Sequence, residues 1–300
     1  MTWRLAQANL GAQIGIVVTG GLVRLTGSGL GCSTWPLCEP GNFTPVFHEA
    51  ATYHPFIEFG NRTLTGVLTV ISIALLWALY RREPARSRPR ILKVLGWSVL
   101  ALIGVQAVVG GISVLVTLHP AIVGLHMSLS LVLIAVSAYL LLRLGHEDGP
   151  AEKPPYAGLL WALGAVASLM LVLGVVTTGS GPHSGDDATP YRFALDPTEI
   201  TRFHSVAAWA FMLALALVVI ASLRNSDGIA RWKYVIAIVI AQGVVGYWQY
   251  FTALPIALVL AHMLLASLLV AALTSAIGDC WRRNRTAPLH SLAPGEAINR

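Results

Sequence analysis

Four side chains in this sequence pair metal-binding or proton-transfer chemistry with apolar surroundings: Glu58, His126, His204 and His262. An ionisable group inside a membrane span is costly, and function is the usual reason it is kept. His126 and His262 each follow a glutamine by twenty residues, in the matching stretches Gln106-Ala-Val-Val-Gly110 and Gln242-Gly-Val-Val-Gly246. Pro120 and Pro255 lie between, where proline suits a helix start. Each histidine then sits about 9–10 Å down its helix at 1.5 Å per residue. A repeated intramembrane histidine suggests a duplicated site, and the chemistry it suits best is axial ligation of heme iron.

His204, near the start of another apolar run, lies at similar depth, so His204 and His262 can approach one iron from opposite sides. The first half of the chain has Asn61 where the second has His204. Asparagine is a poor iron ligand, so His126 faces an open or weakly filled position. Open positions favour reaction and ligand exchange; closed ones favour electron transfer. Glu58, three residues before Asn61 on the same helical face, is a candidate acid, base or cation stabiliser. The competing expectation is an ion pair with Arg62 one turn on. Arg24 and Arg62 lie on the outer side, where they can pair with heme propionates or serve as interfacial anchors. Gln106 and Gln242 read as helix-to-helix hydrogen bonds. His54 is an alternative ligand for the Asn61 position. His48, His119 and His183 belong to outer loops or helix edges, and His146 and His290 to the cytoplasmic side.

The elements that must position these groups are membrane spans. The chain is 55% hydrophobic and only 11% charged, where a soluble domain carries roughly 25% charged residues. Runs of about twenty apolar residues cross a bilayer as helix, and eight are predicted: 5–23, 57–80, 92–118, 120–142, 157–178, 203–223, 232–252 and 254–277. The first is expected to be a retained span and not a cleaved signal. With both termini cytoplasmic, all the basic residues except Arg24, Arg62, Arg192 and Arg202 fall inside, as the positive-inside rule requires. The net charge of +6 therefore encodes topology, and no nucleic-acid partner is expected. Cys32 and Cys38 share the first outer loop, where an oxidising compartment favours a disulfide over free thiols. Whether that pair is structural or redox-active stays open.

The duplication extends further. Val18-Thr-Gly-Gly21 parallels Val176-Thr-Thr-Gly179, and Glu58-Phe-Gly-Asn61-Arg62 parallels Thr201-Arg-Phe-His204-Ser205. The predicted fold is an all-α integral membrane protein, eight transmembrane helices in two parallel four-helix repeats related by a pseudo-two-fold along the membrane normal. Residues 1–145 form the first half and 157–280 the second, with a cytoplasmic linker at 146–156 and a cytoplasmic tail at 281–300.

The run Gly20-Gly-Leu-Val-Arg-Leu-Thr-Gly-Ser-Gly-Leu-Gly-Cys32, followed by Trp35-Pro-Leu-Cys38, resembles the first-span signature of heme A synthases. The resemblance covers nearly the whole chain, including the cysteine pair, the glutamate of the second span and the histidines of the fourth, sixth and eighth. It implies a heme b cofactor on His204 and His262, and heme O as substrate in the first half, with His126 toward its iron and Glu58 beside the reacting edge. The implied reaction oxidises the C8 methyl of heme O to a formyl group in the bacterial plasma membrane, giving heme A for terminal oxidases. A heme O synthase is the implied partner, and the electron acceptor is unspecified. The family commonly has histidine where this chain has Asn61, and many members carry a second cysteine pair in the third outer loop, which residues 180–199 lack. Two rivals are a non-catalytic transmembrane heme protein that only moves electrons, and a heme or ion transporter.

Overall fold

The computed structural model describes residues 1–46, 53–146, 152–225 and 229–281. They form eight helices: α1 (Thr2–Leu25), α2 (His54–Arg81), α3 (Arg90–Leu115), α4 (Pro120–Gly145), α5 (Ala157–Ser180), α6 (Pro197–Arg224), α7 (Lys233–Phe251) and α8 (Ile256–Cys280). All eight are long and apolar enough to cross a bilayer, so the protein is a multi-pass, all-α membrane protein. His48, His290, residues 147–151 of the expected linker and all but the first residue of the expected tail lie outside the described residues.

Two of the helix boundaries that differ from the sequence expectation have a local cause. Helix α6 begins at Pro197, six residues before Phe203, because the Asp196 carboxylate accepts the N–H groups of Thr198 and Glu199 as an N-cap. Helix α3 stops at Leu115, because Thr117 and Leu118 take left-handed conformations with φ 51° and 58°. Ala253 and Leu254 do the same after α7, both at φ 59°. In each turn one backbone bond reaches back five residues, Leu118 N–H to Ser113 O and Leu254 N–H to Gln249 O, both 2.8 Å. Non-glycine residues in this region cost about 1–3 kcal/mol each, and these bonds help to hold them there.

Helix α1 buries Ala6, Asn9, Gln13, Val17 and Gly21 along one stripe, the spacing of a single helical face. That stripe meets α4 and α8. Val17, Leu131, Ile134, Ala138, Val270 and Ala271 form the cluster there, and Asn9 Nδ2 donates to Ser137 Oγ at 3.1 Å. Between lipid-bathed helices the attraction comes from close packing and such polar contacts, not from exclusion of water. Helices α2 and α3 also pack together, but α6 and α7 approach far less closely. Where α4 ends, Arg88 donates to the carbonyls of Arg143, Leu144 and His146, satisfying acceptors that a helix C-terminus leaves open.

The loops at the opposite end of the bundle connect its first four helices to its last four. Gly29 N–H donates to Gly185 O at 2.8 Å, and Arg24 Nη2 donates to Thr178 O at 2.9 Å. Gly31 lies so close to the start of α2 that a methyl group there would fall 2.5 Å from the carbonyl carbon of His54. Gly31→Ala should therefore cost about 1–3 kcal/mol, read as a lower unfolding temperature in detergent. Gly104→Ala, which meets open space, should cause no such loss.

Candidate heme site

One cavity of about 1470 Å³ opens between the helices and is lined from both halves, by Glu58, Asn61, Arg62, His126, His204 and His262 among others. Each histidine is set against a glycine of the preceding helix. A methyl group placed on Gly110, Gly174 or Gly246 would stand 3.2, 3.0 or 3.2 Å from Cε1 of His126, His204 or His262 respectively. The absent side chain is what admits the imidazole between helices. In the sequence Gly110 and Gly246 stand only as the ends of the repeated motif, which does not reveal this pairing. The available signal was spacing, since Gly110 and Gly246 each precede their histidine by sixteen residues.

The second-half imidazoles face one another. Ring centroids of His204 and His262 are 6.4 Å apart, with planes at 73°. An imidazole–metal bond of about 2 Å on each side, plus half a ring on each side, spans about 6 Å. The spacing therefore suits His204 and His262 as the residues that would hold one heme iron between them. His204 Nδ1 lies 3.0 Å from Met170 O, which fixes the ring and reserves Nε2 for a metal. Among the described residues no three His, Cys, Asp or Glu side chains cluster as a metal site. A bare ion would lack ligands here, whereas a macrocycle brings its own equatorial nitrogens.

The first half is arranged differently. His126 lines the cavity, and its Nδ1, like that of His262, is buried with no hydrogen-bond partner among the described residues. Its backbone carbonyl accepts from Gln106 Nε2 at 3.1 Å, as that of His262 accepts from Gln242 Nε2 at 3.2 Å. Both glutamines thus act as the helix-to-helix bonds expected of them. Asn61 Oδ1 accepts the Thr19 hydroxyl at 2.7 Å, so that side chain is anchored to α1.

Glu58 is 5% exposed, and both of its oxygens are engaged. Oε2 accepts the backbone N–H of Cys32 at 2.6 Å, and Oε1 accepts Arg62 Nε at 3.0 Å. Arg62 Nη1 also donates to the carbonyls of Thr34 and Leu37, at 2.9 and 3.2 Å. Those carbonyls belong to the loop closed by the Cys32–Cys38 disulfide. Glu58 and Arg62 thus form the expected ion pair, and together they hold the disulfide loop over the cavity. Trp35 of that loop lies against Gly111 of α3 and lines the cavity's outer end.

The remaining candidates divide. Arg24 lines the cavity, and its Nε is buried without a partner among the described residues. His54 Nδ1 lies 2.9 Å from Ser28 Oγ and is absent from the cavity wall. His183 Nε2 sits 3.2 Å from Leu254 O, and His119 caps α4. His146 lies 3.1 Å from Asp279 at the opposite end.

Residues 4–274 match the family described as cytochrome oxidase assembly protein, COX15-CtaA. A protein named heme A synthase from Bacillus licheniformis is 28% identical over 280 residues, covering 86% of this chain and 89% of that protein. Another of that name, from Lysinibacillus sphaericus, is 26% identical over 288 residues, covering 90% and 91%. A third, from Bacillus pumilus, is 33% identical over 149 residues, and the matched part spans about half of each protein, 48% and 46%.

Proposed function

This chain belongs to the COX15-CtaA family of cytochrome oxidase assembly proteins, and from that premise we propose that it is a heme A synthase. It would oxidise the C8 methyl of heme O to a formyl group, by successive hydroxylations and loss of water. The carrying observation is the inequality of the halves: facing imidazoles in one, and a single histidine with Asn61 and the buried Glu58 in the other.

In this reading residues 1–145 take the substrate and 157–280 hold a resident heme b on His204 and His262, in parallel repeats about an axis along the membrane normal. Heme b, when bound, supplies one-electron steps that carry electrons away from the substrate site. His126 faces the iron of heme O and fixes the plane of the substrate. Glu58 presents negative charge beside the methyl group as positive charge develops there, and can accept a proton. Arg62 holds that carboxylate in place, and the disulfide loop with Trp35 keeps outer water from the reacting edge. Arg24, cationic with an unpartnered Nε, suits a propionate by its planar fork. Both termini are assigned to the cytoplasm of a bacterial plasma membrane. A heme O synthase, which makes the substrate, is the expected partner.

The engagement of both Glu58 oxygens in the outer cap favours a second reading, a heme protein that only moves electrons. One experiment separates the two. The chain is expressed in membranes that make heme O but no heme A, and the hemes are extracted and chromatographed. Heme A or its alcohol precursor is the expected product. Unchanged heme O alongside normal expression would leave electron transfer as the better account.

A further inference from the structure

A second cavity, of about 560 Å³, lies between three helices: α4 gives it Leu131 and Ala135, α5 Gly164 and Leu171, and α8 Val270 and Leu273. The repeat explains why it is there. In the first half α1 packs on α4, and Asn9 bonds to Ser137 across that contact. With the repeated motifs aligned, the counterparts of Asn9 and Ser137 are Ala167 and Leu273, and both line the second cavity. The polar link is gone, and α5 and α8 approach far less closely than α1 and α4. The cavity is the space that this separation leaves.

Leu131 and Leu171 line both cavities, and their side chains stand where the two spaces meet. Leu131 lies five residues beyond His126, about 7.5 Å farther from the Arg24 end of the bundle by helix rise. From there the wall on α4 continues to Arg143, about 18 Å more. Ser128 and Ser168 also line the space, but each gives its hydroxyl proton to its own helix, to Gly124 O at 2.8 Å and Gly164 O at 2.9 Å. The result is a lengthwise groove, walled mainly by hydrocarbon and adjoining the main cavity. Its volume falls within the roughly 300–1,000 Å³ of pockets that take small molecules. Such a space suits a long apolar chain attached to a larger group in the main cavity.

We propose that this groove is the subsite for the isoprenoid tail of heme O. This rests on the reading of the first half as the place where heme O is received. Heme O carries a hydroxylated chain built of three isoprene units, on the ring opposite one that bears a propionate; heme b has no such chain. With the propionates toward Arg24 and Arg62, the chain leaves the macrocycle at its far edge, on the Leu131 side. It then passes Leu131 and Leu171 into the groove. The C8 methyl lies beside a propionate, at the Glu58 end, so tail and reacting carbon are kept apart. Lipid is as apolar as the groove, so what the groove adds is close contact along the chain and a fixed direction.

The test uses full-length protein with its second-half heme in place, compared with Gly164→Phe and Ala135→Phe, which fill the groove from two walls. A methyl group on Gly164 meets open space, and a retained low-spin spectrum reports that folding is intact. Heme O and heme b are titrated separately into the first half and followed by the Soret band. Both variants should weaken heme O about tenfold and leave heme b unchanged. A second measurement places a thiol in the groove with Ser168→Cys and follows its labelling by N-ethylmaleimide. Heme O should slow that labelling and heme b should not. Equal weakening of the two hemes, or labelling that heme O does not slow, overturns the subsite and leaves the groove to membrane lipid. Heme A production by the wild-type chain without a loss selective for heme O would keep the proposed activity and reject the subsite. A selective loss in a chain that makes no heme A would do the reverse.

Discussion

His262→Ala is expected to abolish the low-spin heme spectrum of the purified protein, and His204→Ala to do the same. Each imidazole supplies one side of the 6.4 Å gap that an iron would bridge. Removing either leaves a metal with one protein ligand and exposes an apolar void beside Gly246 or Gly174. Altering only a supporting group around a metal ligand costs about 10–100-fold in affinity, so losing a ligand itself should cost at least that. The measurement is the heme-to-protein ratio after purification, with the visible spectrum. A ratio and spectrum like those of the wild-type chain in either variant would mean that the resident heme lies elsewhere.

The second large effect concerns Glu58. Glu58→Ala should halt conversion of heme O, by about 100-fold or more if the carboxylate stabilises developing charge, and leave the second-half spectrum intact. Because Glu58 also accepts the Cys32 N–H and pairs with Arg62, alanine alone confounds chemistry with support of the disulfide loop. Glu58→Gln narrows the choice. Its amide oxygen still accepts from Cys32, but the charge is gone and an NH2 group turns toward Arg62. If Gln retains wild-type conversion while Ala loses it, Glu58 is a positioning residue for the loop. If both fail, the negative charge is required, at the reacting edge or in the pair with Arg62.

The sequence reveals the fold readily because lipid enforces it. Backbone polar groups have no water to bond in the bilayer, so each apolar run must be helix, and all eight are found. The histidines are legible for a related reason: a costly residue in an apolar run stands out. What the sequence hides are contacts between elements. Nothing in the pattern around Gly174 says that His204 packs on it, because the two belong to different helices thirty residues apart. The bond from Cys32 to Glu58 is equally hidden, since a loop N–H has no sequence signature. The Glu58–Arg62 pair was visible as an i,i+4 spacing, yet its tie to the Thr34 and Leu37 carbonyls was not. Local periodicity fixes the actors; packing decides which of them meet.

The looseness between α6 and α7 bears on the life of the protein in the cell. Where α2 and α3 rest on one another, the matching pair of the second half is joined more sparsely, with Trp209 Nε1 donating to Tyr247 OH at 3.2 Å among the bridges. A ligand seated between such helices takes over part of the packing that the chain does not supply, and ligand that binds only the folded form stabilises it by mass action. If the second half holds heme as proposed, its supply should then govern how much protein escapes proteolysis, as well as how active it is. A pulse-chase in heme-starved and heme-replete cells would read this as a difference in half-life, and equal half-lives would show that the helices hold together unaided.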